Sequence, residues 1–167
     1  MAYEEAGYKV VHKGENFEIR YYEERIVIQT RYDSGNSGFR KLFNYISGQN
    51  QGEKKIEMTT PVTEVQDDNQ MVMQFYLPAR FNAASAPLPA DNSLEIATID
   101  AGYFAVIQYS GFASNKNFYK HAQILKSSLD RDNIEISSQP IKATYDGPFT
   151  LPNLRRNEAM YLVLWDN

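Results

Sequence analysis

The chain has 167 residues, a net charge of −4 at pH 7 and no cysteine. This length allows one domain with a substantial hydrophobic core. A negative charge without a block of Lys or Arg argues against nucleic-acid binding by neutralisation of phosphates. The absence of cysteine excludes disulfides, thiolate catalysis and Cys-based zinc sites. Twelve Tyr and nine Phe indicate β-rich structure, and such side chains also line ligand pockets.

No segment of the sequence has the pattern of a signal peptide or a membrane span. The chain begins with MAYEEAGYKVVHKGE, which lacks the apolar core of a signal peptide. A run of about 20 apolar residues, as a transmembrane helix needs, does not occur. We therefore expect a cytoplasmic protein without membrane insertion.

The first half of the chain predicts four strands. They are indicated by runs of β-forming residues between turn residues, and they cover residues 17–22, 24–32, 54–64 and 70–77.

A helix is predicted between the second and third of these strands. Its apolar residues recur at i, i+3, i+4 and i+7, which places them on one helical face. They are Phe39, Leu42, Phe43 and Ile46. Asn36 or Ser37 can cap the start of the helix, and Gly48 has the position of a C-terminal glycine.

The second half of the chain repeats the first with an offset of 79 residues. Val27-Ile28-Gln29 recurs as Val106-Ile107-Gln108. The same offset relates Asn36 to Asn115, Phe39 to Phe118, Lys41 to Lys120 and Pro61 to Pro140. We therefore predict an α+β domain in which duplicated β-α-β-β units form a distorted, barrel-like antiparallel sheet flanked by two helices. This single domain covers residues 1–167, with pseudo-repeats at about 17–78 and 95–166. The second repeat has the longer last connection, residues 145–158.

Motifs for catalysis or metal binding are absent from the sequence. The two histidines, His12 and His121, are far apart, and neither a Gly-x-Ser-x-Gly elbow nor a His-Glu-x-x-His spacing occurs. Acidic pairs such as Asp67-Asp68 are typical of solvated turns. We therefore predict a binding protein and no enzymatic activity.

Four segments of the sequence resemble the SOUL/heme-binding protein family. They are FEIRYYE, FRKLFNYISGQN, KIEMTTPV and YDGPFTLPNLRRNEAMYLVLW, in the family's order between Phe17 and Trp165. The resemblance implies a duplicated, barrel-like sheet with two flanking helices, in agreement with the repeat. It also implies non-covalent binding of heme or a related tetrapyrrole in an open apolar cleft, as a carrier, buffer or sensor.

The resemblance also implies which residues form the site. The apolar contacts would come from the face of the first helix, Phe39, Leu42, Phe43 and Ile46, with Met58 and the loop 145–156 as further neighbours. Basic groups for the propionates would be Arg40 and Lys54, or Lys41, Lys55 and Arg155.

The iron ligand stays open. Some family members have a histidine directly after Glu-Ile-Arg, where this chain has Tyr21. A tyrosinate can ligate ferric heme, but a structural role on the strand is the favoured interpretation of Tyr21. His121 on the second helix is the other candidate, and it too is more often a core or surface residue.

A second interpretation is a small-molecule effector-binding module of the gyrase-inhibitor-like type, which resembles this duplicated layout and takes amphipathic cations. Acidic residues around the cleft would favour that module, whereas basic residues would favour a porphyrin. The segment Arg155-Arg156-Asn157-Glu158 contains catalytic residue types. We favour a structural role for it, an ion pair that fixes the loop to the last strand.

Overall fold

The structure, a computed structural model, describes residues 3–32 and 37–166. Its elements follow in the order β1 (Glu4–Glu5), β2 (Tyr8–Lys13), β3 (Glu18–Tyr22), β4 (Arg25–Tyr32), α1 (Ser37–Ile46), β5 (Thr59–Thr60), β6 (Val62–Asp67), β7 (Gln70–Tyr76), β8 (Leu94–Ile99), β9 (Gly102–Tyr109), α2 (Asn115–Arg131), β10 (Glu135–Ile136), β11 (Ile141–Thr144) and β12 (Asn157–Leu164). The predicted α+β class with duplicated β-α-β-β units is confirmed. Asn36, one of the two predicted helix caps, lies outside the described residues.

The chain forms two compact units. The first comprises Met1–Ala6 and Glu24–Asp100, and the second comprises Gly7–Glu23 and Ala101–Asn167. Within the described residues, neither helix has the length and apolar character needed to cross a bilayer.

The first unit is an antiparallel sheet in the order β6-β7-β4-β8 with α1 packed on it. Its core combines Ile28 and Phe75 from the strands with Leu42 and Tyr45 from α1. The strands are apolar on the side that α1 covers, which is the pattern of a half-buried antiparallel sheet.

The second unit is an antiparallel sheet in the order β2-β3-β9-β12-β11, and β10 also pairs with β12. Helix α2 packs Leu125 and Leu129 on Ile107 and Ala159 of the sheet. The helix begins after Ser114, whose hydroxyl accepts a hydrogen bond from the Asn117 N–H at 3.1 Å, as an N-cap does.

Strand order confirms the duplication. In each unit the fourth element of the β-α-β-β repeat lies between the third and the first, so β6-β7-β4 corresponds to β11-β12-β9. Val27 faces Tyr76 in the first unit, and Val106 faces Met160 in the second. The first strands are thus 79 residues apart, the third strands 80 (Thr63 and Ala143) and the last strands 84, so four of the five extra residues of the second unit lie in the longer last connection.

The predicted start of the third strand is wrong. Residues 54–58 lie outside the strands, and pairing begins only at Thr59. The Ile56 N–H donates to the Ile46 carbonyl at 2.8 Å, and its side chain is buried in the core of the first unit. This segment therefore continues the turn that leaves α1, which the β-forming composition does not reveal.

Candidate functional site

Helix α1 turns one face to the core and leaves two phenylalanines at its edge. Gly38, Leu42 and Tyr45 are buried, whereas Phe39 is 42% and Phe43 49% exposed. Residues four apart are neighbours on a helix surface, so the two exposed rings lie side by side. We refer to Phe39 and Phe43 as the phenylalanine pair.

The phenylalanine pair is a flat aromatic surface with a fixed base. The ring centroids of Phe39 and Phe43 are 6.1 Å apart with an interplanar angle of only 14°. Phe39 also meets the buried ring of Phe75 on β7 edge to face, at 5.2 Å and 63°. Edge-to-face contact is a favourable aromatic geometry, so Phe75 holds Phe39 in position while its outer face stays in water.

The charged residues close in sequence to the phenylalanine pair are mainly basic. Residues 37–55 contain four basic side chains and one acidic side chain, a net charge of +3. Arg40 is exposed, and the Lys41 ammonium donates to the Ser93 hydroxyl at 3.1 Å. The nearby Asp91 has a lowered pKa, chiefly because Ser93 donates hydrogen bonds to its carboxylate and to a smaller extent because of Lys41. This surface therefore suits an acidic ligand.

The loop after α1 is organised by one buried asparagine. The Asn50 amide donates to the carbonyls of Tyr45 and Lys54, both at 2.8 Å, and its oxygen accepts from the Lys54 N–H at 2.9 Å. Gly48, with φ of +123°, allows the chain to leave the helix. These bonds fix the backbone of Lys54 while its side chain stays exposed.

The structure brings only some of the predicted site residues to one surface. Phe39, Phe43 and Arg40 share the exposed side of α1, whereas Leu42 and Ile46 lie in the core of the first unit. The other predicted contacts of the first unit are the half-buried Met58, which packs against that core, and the exposed Lys54 and Lys55. The loop 145–156 belongs to the second unit, where the Arg155 guanidinium donates to the carbonyls of the loop itself. Phe75 was not predicted as part of the surface, since its strand position alone indicates only a core residue.

Both candidate iron ligands belong to the second unit. Tyr21 is half-buried on β3, with its ring 5.2 Å from that of Tyr103. His121 stacks on Tyr109 at 4.0 Å, and its Nδ1 lies 2.8 Å from the Asn117 carbonyl. A proton on Nδ1 would make that hydrogen bond and leave Nε2 as the acceptor. Across the described part of the chain, no cluster of three or more His, Cys, Asp or Glu side chains could hold a metal ion.

The second unit also contains a buried ionic network that centres on Glu158. Both oxygens of this fully buried carboxylate accept from Arg20, at 2.8 and 2.9 Å. Arg156 donates to the same group at 3.1 Å and Tyr145 at 2.7 Å. The predicted pairing of Arg156 with Glu158 is therefore present. The partnership with Arg20 was missed, because the two residues are 138 positions apart and nothing in the local pattern connects them.

Aromatic rings complete the surroundings of this network. The Arg20 guanidinium lies 4.0 Å from the centre of the Tyr8 ring and donates to the Tyr22 hydroxyl at 3.0 Å. Burial alone would lower the pKa of Arg20, but the hydrogen bonds and charge of Glu158 outweigh it and raise the pKa. The pKa of Tyr145 is also raised, first by burial and then by the charge of Glu158. The network keeps the charge of Glu158 paired inside the unit.

Comparison with known proteins agrees with this fold. The sequence profile of the SOUL heme-binding proteins matches residues 3–162. Heme-binding protein 1 of Xenopus laevis is 28% identical over 172 residues, which cover 92% of this chain and 89% of the relative. Heme-binding protein 2 of Homo sapiens is 26% identical over 163 residues, covering 89% of this chain and 78% of the relative.

The backbone resembles solved structures as well. The EcmrR C-terminal domain superposes with a TM-score of 0.63 over 94% of this chain and 98% of that domain, at 16% identity. This likeness concerns the fold alone. By its fold, the chain is an α+β protein built from two β-α-β-β repeats. The match to the family profile covers residues 3–162, which is nearly the whole sequence. The chain belongs to the SOUL heme-binding protein family.

Proposed function

We propose that this protein binds heme or a related tetrapyrrole non-covalently on the phenylalanine pair, as a carrier, buffer or sensor. The observation that carries the proposal is the pair itself, two nearly parallel rings about half exposed and backed by Phe75. A flat apolar ligand that covers both rings removes their surface from water, which is favourable. Membership of the family, and relatives named for heme binding, support the same ligand class.

The charge near the pair favours an acid-bearing ligand. Arg40, Lys41 and Lys54 supply cations that can pair with propionates. A module for amphipathic cations would need carboxylates in these places, and only Glu53 lies within residues 37–55. The basic surroundings therefore support the tetrapyrrole over the effector-type alternative.

The open position of the pair implies modest affinity. Covering about 400 Å² of ligand surface at ~25 cal/mol/Å² contributes about 10 kcal/mol before other terms. Association opposes this with roughly 4–15 kcal/mol, and exposed ion pairs add only about 0–1 kcal/mol each. Micromolar or weaker binding follows, which suits a carrier or buffer.

The proposal assigns no iron ligand. Neither histidine belongs to the unit that carries the phenylalanine pair. We therefore expect metal-free protoporphyrin to bind within about tenfold of the affinity of hemin. A far stronger preference for hemin would indicate a ligand to the iron, for which Tyr21 and His121 are the candidates.

Titration with hemin, followed in the Soret band, tests the proposal. Phe43→Asp places a carboxylate in the surface and should weaken binding by at least about tenfold. Tyr119→Asp is the matched control, since Tyr119 is an exposed aromatic residue on α2. A Soret spectrum that does not change up to about 50 µM protein, well above a micromolar Kd, would remove the proposal.

The proposed role is binding without catalysis in the cytoplasm. The curated relatives are named as heme-binding proteins and not as enzymes, which supports this role. The proposal includes no nucleic-acid partner, and it leaves the oligomeric state open.

A further inference from the structure

Two loops of the second unit carry a patch of exposed apolar side chains. The patch, called the loop patch below, consists of Phe112, Phe149, Leu151 and Leu154. Each is more than half exposed, and Phe149 is 97% exposed. Single exposed apolar residues are ordinary, but several together mark an interaction surface.

Hydrogen bonds hold the two loops together. The Gly111 N–H donates to the Pro152 carbonyl at 2.8 Å, and the Asn157 amide donates to the Gly111 carbonyl at 2.9 Å. Residues 152–154 form a 3₁₀ turn that fixes the backbone between two of the patch leucines. The loop patch is therefore a defined surface of the second unit.

The polar groups of the longer loop are turned inward. Arg155 donates to the Gly147 carbonyl at 2.8 Å and to the Asp146 carbonyl at 3.2 Å. The Asp146 carboxylate accepts from the Arg156 N–H at 2.6 Å. Because these groups have partners, apart from the buried Nε of Arg155, the apolar side chains can enter a medium of low polarity with little further loss of hydrogen bonding.

The charge around the loop patch is positive. Residues 110–120 and 142–158 contain five basic and two acidic side chains, a net charge of +3 in a chain of net charge −4. Both acids are engaged, Asp146 by the loop backbone and Glu158 by Arg20. Lys116 and Lys120 are exposed on the first turns of α2. The adjoining Asn117 amide donates to the Phe112 carbonyl at 3.0 Å, so this end of α2 is tied to the patch.

We propose that the loop patch docks the protein on an anionic lipid surface. Phe149 and Leu151 enter the interfacial region, and Lys116 and Lys120 face the headgroups. Protruding apolar side chains beside basic ones are the pattern of proteins that lie on a membrane without crossing it. A second copy of the chain fits less well, because a twofold contact through this patch would set two positive surfaces against each other.

Vesicle sedimentation tests the docking directly. The intact protein should sediment with phosphatidylcholine vesicles that contain phosphatidylserine, and less with phosphatidylcholine alone. The double variant Phe149→Ser/Leu151→Ser should lower the partition coefficient at least about tenfold, given the apolar area removed. Leu88→Ser removes an equally exposed leucine from the first unit and should leave binding unchanged. Lys116→Glu/Lys120→Glu should weaken binding only to the anionic vesicles, and added salt should weaken it too.

A fluorescent probe reports whether the loop enters the bilayer. The probe is Phe149→Trp in a Trp165→Phe background, which removes the single natural tryptophan. When anionic vesicles are added, the fluorescence emission of the new tryptophan should shift to the blue, and brominated lipid should quench it. Equal sedimentation of the wild type and the double variant, or emission unchanged by vesicles, would overturn the docking.

Two further results would also overturn the proposed membrane docking, and they can be seen in hemin titration and size-exclusion chromatography of the same variants. If the double variant loses hemin affinity while the wild type does not bind vesicles, the loop contacts hemin instead of a lipid. If the wild type is a dimer that the double variant abolishes, a second copy covers the patch. Retained lipid binding by a variant that no longer binds hemin, such as Phe43→Asp, would show that the docking stands apart from the proposed tetrapyrrole binding.

Discussion

The two helices have the same place in two units of the same topology, yet residues that the 79-residue repeat aligns differ in burial between them. In α2 the buried positions include Phe118, Ala122 and Leu125. In α1 they are Gly38, Leu42, Tyr45 and Ile46. Three of these four positions are therefore 80 residues before buried positions of α2, although the aligned strands before the helices are 79 apart.

A shift of one residue turns a helix by about 100°. Phe39 aligns with the buried Phe118 in sequence, but in the structure it stands at the edge of its helix, half exposed. The duplicated scaffold keeps its strand order, and this one-residue offset places two aromatic rings at the surface where the aligned residues of α2, Phe118 and Ala122, are buried. The phenylalanine pair is thus a property of one unit only.

A second pair of corresponding positions has diverged in charge. Gln74 faces Gln29 in the first unit, as Glu158 faces Gln108 in the second. Gln74 accepts from the Thr63 hydroxyl and donates to Gln29, both at 2.9 Å, so it needs no ion. Glu158 instead binds two arginines and a tyrosine. The same place in the fold therefore supports a neutral network in one unit and an ionic one in the other.

The largest expected effect comes from replacing the buried carboxylate of Glu158 with the neutral amide that Gln74 has at the corresponding position of the first unit. Glu158→Gln should lower the free energy of unfolding by about 3–5 kcal/mol, because Arg20 then loses its buried, bidentate counter-charge and keeps only the contact with Glu18 at 3.0 Å. Urea denaturation measures this. Glu57→Gln, which removes a carboxylate from an exposed pair with Arg80, is the control and should change stability little. Equal stability of Glu158→Gln and the wild type would mean that the ionic network is not needed.

The difference in burial between the aligned residues Phe39 and Phe118 predicts unequal effects of their truncation. Phe118→Ala should lower the free energy of unfolding by about 3–5 kcal/mol, since it leaves a cavity in a core. Phe39→Ala should lower it by about 1 kcal/mol or less, since only the ring contacts of a half-exposed side chain with Phe75 and Phe43 are lost. Thermal or urea unfolding of the two variants measures the difference, and similar losses would contradict the exposed position of Phe39.

Alkaline pH should weaken the second unit through Tyr145. Its pKa is raised in the folded protein, first by burial, so the folded state keeps the proton that the unfolded state releases near pH 10. Stability is complete below that pH and falls as pH rises above it, by about 1.4 kcal/mol per pH unit for one tyrosine. Tyr145→Phe should make the free energy of unfolding depend less steeply on pH. Urea denaturation between about pH 9 and 11, a range that surrounds the unperturbed pKa of tyrosine, measures this dependence. Tyr119→Phe, on the exposed side of α2, should not change it.

The sequence was sufficient for the duplication and for several elements. Period-2 and helical patterns located β4, α1 and β7 to within a few residues, because these signals are local. The exposure of Phe39 and Phe43 was not predicted, since Phe39, Leu42, Phe43 and Ile46 fit one apolar stripe, and only packing decides which edge of it is buried. The pairing of Arg20 with Glu158 depends on strands distant in sequence, so no local pattern could reveal it. The identity of the ligand rests on family membership, and the assignment of the phenylalanine pair as its site stays a prediction.

Hemin titration of a variant that lacks both exposed rings tests the central claim most directly. Phe39→Ser/Phe43→Ser should keep the fold, as far-UV circular dichroism can verify, and should weaken hemin binding by at least about a hundredfold, the loss of roughly 3 kcal/mol of apolar contact. Tyr119→Ser, with an exposed ring on the other helix, should bind as the wild type does. Wild-type affinity in the double variant would contradict the claim that these two rings form the binding surface.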